Sequence, residues 1–424
     1  MKVSVIGLGY VGFPLACAIS RNEKYKVHGL DLSEDKIRLI KERKSPIEDK
    51  RAEKDIKTVN MEVSTDPGIL ENSDFFIVCV PTPVKGGYIP DLEPIKSATT
   101  MVAKYLKKGA IVIIESTINP GICDEIIIPL LEEESGMKSG KDFNVAHCPE
   151  RINPGDKKWN VYNIPRNVGA TTKEACRKVA DFYRSFIEAK INKMSCLKVV
   201  EATKIIENTF RDVNIALVNE LAKSFDVLGI DLVEVIHGSS SKPFAFMPHY
   251  PGCGVGGHCI PVDPCYLIEE AKKKGFDHKF IRIGREINNS MPAYAVTLLS
   301  DALNHIGKAI NGTKIGVLGV AYKANLGDKR ESSALKIIEL LKKKGADLSV
   351  FDPYCPEDST HNSLSDFLTD IDAVLLATRH KEFKELNEKD FKKYNVKIVV
   401  DGKNLYDKQA FLNADIIYKG IGRG

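Results

Sequence analysis

Lys2-Val-Ser-Val-Ile-Gly-Leu-Gly-Tyr-Val-Gly12 is the stretch whose reading decides the fold. Val3, Val5 and Ile6 read as a buried strand. Gly7, Gly9 and Gly12 then follow in G-x-G-x-x-G spacing with Tyr10 and Val11 between them, and an apolar run opens a helix. A strand that turns on glycines into a helix suits a dinucleotide. The glycines let the backbone approach a pyrophosphate, and the first helical amides point at it. A second strand, Lys26–Asp31, ends on a carboxylate. Asp31 at that place bonds a ribose 2′-hydroxyl and repels a 2′-phosphate, which favours NAD over NADP. Lys36 flanks the adenosine side. On this motif alone, an FAD site and a glycine turn without a cofactor stay open.

Working outward, Phe75–Pro81, Ala110–Ser116 and Phe143–Cys148 read as further buried parallel strands, with helices at Pro14–Ser20 and Glu34–Lys41. Alternation of this kind predicts a doubly wound sheet, completed by a strand at Arg166–Gly169 and a helix at Lys173–Phe186. From Ser195 the pattern turns helical, without glycine or proline until Gly229, which predicts one long helix over 198–228. Shorter helices are expected at 231–237, 264–274 and 290–307. Alternation resumes at Lys314–Leu318, Asp347–Phe351, Ala373–Ala377 and Lys397–Val400, with a helix at Ser333–Lys344. The expected fold is α/β, with two doubly wound Rossmann-like domains joined by a central helical domain with a long connecting helix. The expected boundaries are 1–195 for cofactor binding, 196–308 for the helical, dimerising part and 309–424 for the second α/β domain. The two α/β halves are not an obvious sequence repeat.

Composition sets limits. With 61 basic and 57 acidic residues the net charge is +4 over 424 residues, too balanced for nucleic acid. The ten cysteines form no C-x-x-C pair, so neither a disulfide framework nor a zinc site is expected. Cys253, Cys259 and Cys265 recur every six residues, wider than zinc ligands usually stand. No leader pattern precedes the first strand, and no apolar run approaches the ~18 residues of a membrane span. The expectation is a soluble, cytoplasmic protein without metal or membrane partner.

The chemistry concentrates in Pro251-Gly-Cys-Gly-Val-Gly-Gly-His-Cys-Ile-Pro-Val-Asp-Pro264. Cys259 lies behind four glycines, with Asp263 four residues on. A nucleophilic thiol beside a redox cofactor suggests oxidation through a covalent thioester. Val80-Pro-Thr-Pro83, Glu115-Ser-Thr-Ile-Asn-Pro-Gly121 and Cys148-Pro-Glu-Arg-Ile-Asn-Pro-Gly155 each follow a strand, where doubly wound folds bind ligands. Thr82 and Thr117 offer hydroxyls to the nicotinamide or a water, and Glu150 faces the same cleft. On the long helix, Lys204 and Asn208 share a face, with Glu207 and Arg211 as a neighbouring pair.

These pieces, with Tyr322-Lys323, Arg330-Glu-Ser332 and Asp401-Gly402, span nearly the whole chain. In that order they resemble the UDP-glucose/GDP-mannose dehydrogenase family of nucleotide-sugar 6-dehydrogenases. The resemblance implies oxidation of a sugar C6 alcohol to a carboxylate with two NAD. It gives Cys259 as the nucleophile, Lys204 and Asn208 as oxyanion stabilisers, and Asp263 as the carboxylate ordering Lys204 and a water. Glu150 is then the base for thioester hydrolysis, with Thr117 positioning water. Arg330 reaches the cofactor, while Lys323 and Lys403 contact the substrate. Tyr250, Gly256, His258 and Lys242 are further candidates for the substrate pocket.

Departures from the UDP-glucose pattern bear on the sugar. His258 precedes Cys259, Val262 precedes Asp263, and Pro154 replaces a second glutamate in a segment that runs on to Asp156. This form resembles the branch acting on UDP-N-acetylhexosamines, UDP-N-acetylglucosamine or UDP-N-acetylmannosamine, and leans to the gluco sugar. UDP-glucose is the alternative substrate. A two-electron hydroxyacid dehydrogenase would leave the cysteine turn unexplained, and a non-catalytic nucleotide-sugar or NAD sensor would leave the thiol inert. A homodimer or higher homo-oligomer is expected.

Overall fold

The structure is a computed structural model that describes residues 1–85, 89–152 and 158–424, so Pro154, Gly155 and Asp156 lie outside the described residues. The chain packs as two compact units, Met1–Glu207 with Glu269–Gly275, and Asn208–Ile268 with Phe276–Gly424.

The first unit runs β1 (Lys2–Ile6), α1 (Gly12–Ser20), β2 (Lys26–Leu30), α2 (Glu34–Lys41), α3 (Lys50–Asp55), β3 (Glu62–Ser64) and β4 (Phe75–Val78). A short hairpin, β5 (Val84–Lys85) and β6 (Ile89–Pro90), precedes α4 (Glu93–Lys104), β7 (Ile111–Ile114), α5 (Ile128–Ser135) and β8 (Asn144–His147). Then come β9 (Arg166–Ala170), α6 (Lys173–Arg184) and β10 (Ile191–Lys193). The sheet order is β10-β9-β8-β7-β4-β1-β2-β3. The strands from β3 to β8 pair in parallel, and β4 and β7 are buried along their whole length, as a sheet covered on both faces requires. β9 runs antiparallel to β8. Edge strands β3 and β10 escape a sequence reading because three residues are too few to show a period.

Helix α7 (Leu197–Leu228) matches the expected long helix. It ends where Gly229 takes a φ of 68° and the Ile230 amide closes back on the Phe225 carbonyl at 2.9 Å. It is followed by α8 (Leu232–Ser240), α9 (Asp263–Lys273) and α10 (Lys279–Asn304). Sequence places the last helix at 290–307, but it begins at Lys279 and carries Pro292 inside. Proline reads as a helix start because its missing N–H costs nothing there. Here the missing N–H frees the Asn288 carbonyl, and the backbone at Gly254 comes up to it. A Cβ on Gly254 would stand 2.9 Å from that oxygen.

The second sheet is built from β11 (Lys314–Leu318), α11 (Ser333–Lys343), β12 (Asp347–Phe351), α12 (Leu364–Leu368), β13 (Ala373–Leu376), α13 (Glu388–Lys393), β14 (Ile398–Asp401), α14 (Lys408–Asn413) and β15 (Ile417–Gly420). It is all parallel, in the order β12-β11-β13-β14-β15. One face packs Ile315 and Val317 against Met291, Ala295 and Leu299 of α10; the other packs Val374 and Val399 against Phe367, Phe391 and Phe411. Among the described residues, no helix is long and apolar enough to cross a membrane.

Candidate active site

The cofactor turn has the geometry its glycines suggest. Gly7 adopts a φ of 91°, and a Cβ on Gly12 would collide with the Gly7 carbonyl oxygen, so the helix can start directly against the turn. A Cβ on Gly9 would meet nothing within 4 Å, which leaves open space where a phosphate can approach the backbone. Asp31 follows β2, and its Oδ2 accepts the Leu8 amide at 2.8 Å and the Lys36 ammonium at 3.0 Å. Lys36 is thereby engaged by a carboxylate rather than presented to a 2′-phosphate. Tyr10 is exposed beside the turn. These residues fit NAD.

Three strand ends meet nearby in the same unit. Thr82 is buried and donates to the Thr117 carbonyl at 2.8 Å, tying the segment after β4 to that after β7. Beneath them lies a buried charge cluster. Arg166 donates to both oxygens of Glu115 at 2.8 and 2.9 Å and to Glu150 Oε2 at 2.5 Å, and Tyr183 donates its hydroxyl to Glu115. Arg166 is wholly buried. Burial pushes the Glu115 carboxyl up to about 7, against the pull of the Arg166 charge. Glu150 Oε1 accepts the amides of Arg151 and Ile152 at 2.6 and 2.9 Å. Its Oε2 takes only the Arg166 bond among the described residues, which leaves an acceptor direction for a water.

Helix α7 is fastened to these strand ends on either side of Lys204. Glu201, with no exposed surface, accepts the Gly121 amide at 2.5 Å and the Cys123 amide at 3.0 Å. Glu207 holds Arg151 through a 2.6 Å ion pair, with a second bond of 3.1 Å to Nε. The expected Glu207–Arg211 pairing is therefore corrected. The bidentate guanidinium of Arg151 is the better-matched partner for Glu207, and Arg211 stands exposed.

In the second unit the glycine turn presents Cys259. Gly257 has a φ of 88° and donates its amide to the Arg330 carbonyl at 3.0 Å. A Cβ on Gly256 or on Gly257 would approach Tyr322 to 2.7 Å, so the glycines are what allows this close packing. Cys259 is exposed, and its carbonyl accepts the Asp263 amide at 2.9 Å at the start of α9. Asn208 Nδ2 donates to Asp263 Oδ2 at 2.5 Å. Cys253 is buried, its thiol pushed up to about 11 by burial, and Cys265 is half-buried. Cys259 is thus the exposed thiol of the three.

Arg330 forks onto Asp328, Nε at 3.0 and 3.1 Å and a terminal nitrogen at 2.6 Å. That pairing first, with the Cys259 charge among smaller influences, raises its pKa. Burial, then the Arg330 charge, holds the His258 imidazole below its ordinary value. Lys403 lies against Gly252, where a Cβ would stand 3.5 Å from its ammonium. Lys323 is half-buried just past β11. Tyr250 is half-exposed with its ring 6.1 Å from that of His237, and Lys242 stacks on Phe244 at 4.8 Å.

The sequence of sites is matched by family models along the chain. Residues 1–187 match the NAD binding domain of the UDP-glucose/GDP-mannose dehydrogenase family, 198–290 its central domain and 316–408 its UDP binding domain. The chain belongs to this family. It is an NAD-dependent enzyme of the UDP-sugar dehydrogenase family. The chain is 38% identical to the UDP-N-acetyl-D-mannosamine dehydrogenase of Pyrococcus horikoshii, with 100% of each chain covered. It is also 38% identical to a UDP-N-acetyl-D-glucosamine 6-dehydrogenase of Pseudomonas aeruginosa, with 98% of each covered. A solved structure of the Pyrococcus horikoshii UDP-D-ManNAc dehydrogenase aligns over 100% of both chains at 37% identity with a TM-score of 0.94.

For this family member, sequence reasoning overlooked the residues that hold the named ones. In the sequence Arg166 and Tyr183 stand only as parts of a strand and a helix. Glu201 carried a usable signal, since Glu201, Lys204, Asn208 and Asp212 recur at helical spacing on one side of the long helix. Asn219 belongs to the same series. Its side chain accepts the Gly252 amide at 3.0 Å and donates to Asn288 at 2.8 Å, and Asn288 donates in turn to Asp212.

Proposed function

We propose that this enzyme oxidises the C6 hydroxymethyl of a UDP-N-acetylhexosamine, UDP-N-acetylglucosamine or UDP-N-acetylmannosamine, to the uronate in two two-electron steps. The observation that carries the reading is Cys259, an exposed thiol in a glycine-lined turn, with Asn208 fixed by Asp263. Full-length relatives named for each of the two sugars, at equal identity, support the substrate class. In this reading residues 1–195 bind the cofactor, 196–308 form the helical part and 309–424 bind the UDP-sugar.

Bound NAD supplies the hydride acceptor, one molecule for each pair of electrons. Loss of a hydride from C6 and of the hydroxyl proton leaves an aldehyde. Cys259 Sγ adds to its carbonyl carbon; the S–C bond forms, the thiol proton leaves and the oxygen is protonated to a thiohemiacetal. Loss of a second hydride and proton from that centre leaves the thioester. Water then adds to the carbonyl, the C–S bond breaks, the thiol regains a proton and the carboxylate departs. Lys204 and one amide hydrogen of Asn208 stabilise the oxyanion of these steps, the other amide hydrogen being held by Asp263. Glu150 takes the water's proton and Thr117 orients the water. Lys323 and Lys403 hold the diphosphate side, Gly256, His258 and Tyr250 line the sugar pocket, and Arg330 serves the cofactor.

We also take the working form to be a homodimer or larger, because Val199, Ile206, Phe210 and Leu217 form an exposed apolar stripe along α7. The test of the reaction is NADH release from a panel of UDP-sugars. Two NADH per N-acetylhexosamine, and no acid product from Cys259→Ala, are expected. One NADH per sugar, or a Cys259→Ala variant that still makes acid, overturns the mechanism; faster turnover of UDP-glucose than of either N-acetylated sugar overturns the substrate.

A further inference from the structure

The second sheet carries a counterpart of the cofactor turn. Gly319-Val-Ala-Tyr-Lys-Ala324 follows β11 as Gly7-Leu-Gly-Tyr-Val-Gly12 follows β1. Gly319 has a φ of 93° where Gly7 has 91°. Gly7 donates to the Leu30 carbonyl at 2.8 Å, and Gly319 to that of Phe351 at 2.9 Å. The Leu8 amide reaches Asp31 Oδ2 at 2.8 Å, and the Val320 amide reaches Asp352 Oδ2 at 2.6 Å. The Ser33 amide bonds Asp31 Oδ1 at 3.0 Å, and the Tyr354 amide bonds Asp352 Oδ1 at 2.8 Å.

Two glycines of the first turn are alanines in the second, and both changes matter. Ala321 fills the position that is open at Gly9, and it is buried. Ala324 replaces Gly12, where a Cβ cannot coexist with the first carbonyl of the turn. The helix therefore cannot begin there. It begins at Ser333, and the chain between opens into a loop that carries Lys323 at the position of Val11.

That loop is held from below by one pair. Asp352 Oδ2 accepts the Val320 and Ala321 amides and His380 Nε2 at 3.0 Å. The Asn325 amide donates to His380 Nδ1 at 2.9 Å, so the ring hydrogen sits on Nε2, toward Asp352. His380 is wholly buried, with the Tyr354 ring stacked on it at 4.8 Å. Burial pushes the Asp352 carboxyl up, but His380 and the two amides outweigh it and hold the group below its ordinary value. At Asp31 the corresponding third donor is Lys36, a third exposed and able to swing away. At Asp352 it is an enclosed imidazole, and no ribose can displace it.

We propose that His380 and Asp352 are positioning residues for the diphosphate of the UDP-sugar: they fix the loop of a converted dinucleotide turn so that Lys323 is set for the ligand. The proposal rests on Lys323 being a substrate contact. The experiment is calorimetric binding of UDP and, separately, of NAD to the full chain. His380→Leu should weaken UDP about 10-fold and leave NAD within about twofold, while His380→Gln, which keeps one donor and one acceptor, recovers most of the loss. Lys323→Ala should also weaken UDP, and His380→Leu added to it should cost nothing further, since the two act through one contact. If Lys323→Ala binds UDP normally, the reading of Lys323 fails and this proposal with it. If Lys323→Ala weakens UDP while folded His380→Leu does not, or if the two losses add, the positioning role alone is overturned. Should His380→Leu not fold, exposed Asn325→Gly serves instead. It removes the bond from the Lys381 amide to Asn325 Oδ1 at 2.9 Å while suiting the φ of 59°, and unaltered UDP binding there also overturns the role.

Discussion

Replacing Glu201 by alanine tests whether the loop that carries Thr117 is held by the helix that bears Lys204. Glu201 is fully buried and accepts the Gly121 and Cys123 amides at 2.5 and 3.0 Å. Truncation leaves two buried N–H groups without a partner, each costing about 1–3 kcal/mol. Removing a carboxyl whose pKa burial already raises offsets part of this. A net loss of about 3 kcal/mol is expected, which lowers the melting temperature of a unit of this size by about 6–12 °C. Glu201→Gln retains one acceptor oxygen but turns an NH2 toward the second amide, so about 1–2 kcal/mol is expected. Because the Ser116–Gly121 loop carries Thr117, kcat should fall about 10-fold in Glu201→Gln with KM for NAD nearly unchanged. Circular dichroism melts and steady-state rates read both effects. A Glu201→Ala protein melting within about 2 °C of wild type, with full kcat, refutes the argument.

Two further outcomes follow from the same geometry. Burial raises Glu115 from 4.5 to about 7, so the folded chain holds that proton more tightly than the unfolded one. Its contribution to stability is full below 4.5 and is lost as pH rises to about 7, so wild type should lose up to ~3 kcal/mol relative to Glu115→Gln across that window. Chemical unfolding at three pH values measures it, and a pH-independent difference between the two proteins contradicts it. Phe210→Glu places a charge at the centre of the exposed stripe on α7; in a two-fold interface it acts twice, and at about 2 kcal/mol each the dimer should weaken about 10³-fold. Light scattering that finds wild type and variant in the same state rules the stripe out as the interface.

The parts legible in the sequence were those with a short-range physical signature. Gly7, Gly9 and Gly12 could be read because a turn of that tightness admits few residues, and Asp31 because its distance from them is set by one strand and one helix. The long helix was legible from its unbroken period up to Gly229. What stayed hidden depends on partners distant in the chain. Nothing local marks Arg166 as the cation between Glu115 and Glu150, since a strand that opens on arginine is ordinary. Pro292 hides the helix around it because its cost in a helix interior is local, while the Gly254 backbone that packs close to the freed carbonyl lies on another segment. The likeness of the two turns was obscured by Ala321 and Ala324, although those two methyl groups are the physical reason that one turn runs straight into its helix and the other opens into a loop.

Helix α7 shows why its length and register are constrained together. Glu201, Lys204, Asn208, Asp212 and Asn219 fall on one side of it, and each that is buried is bonded to a strand-end loop, a helix or the cysteine turn. Val199, Ile206, Phe210 and Leu217 are exposed, and each stands two positions from one of those polar residues, which on an α-helix is a rotation of about 200°. The opposed faces therefore share one phase. Deleting a single residue between Asn208 and Phe210 would turn everything beyond it on the helix by about 100° relative to Glu201, Lys204 and Asn208. The same deletion would break the apolar stripe at its middle. Substitutions can separate the two faces, as Phe210→Glu and Glu201→Gln are designed to do, whereas a change of length cannot.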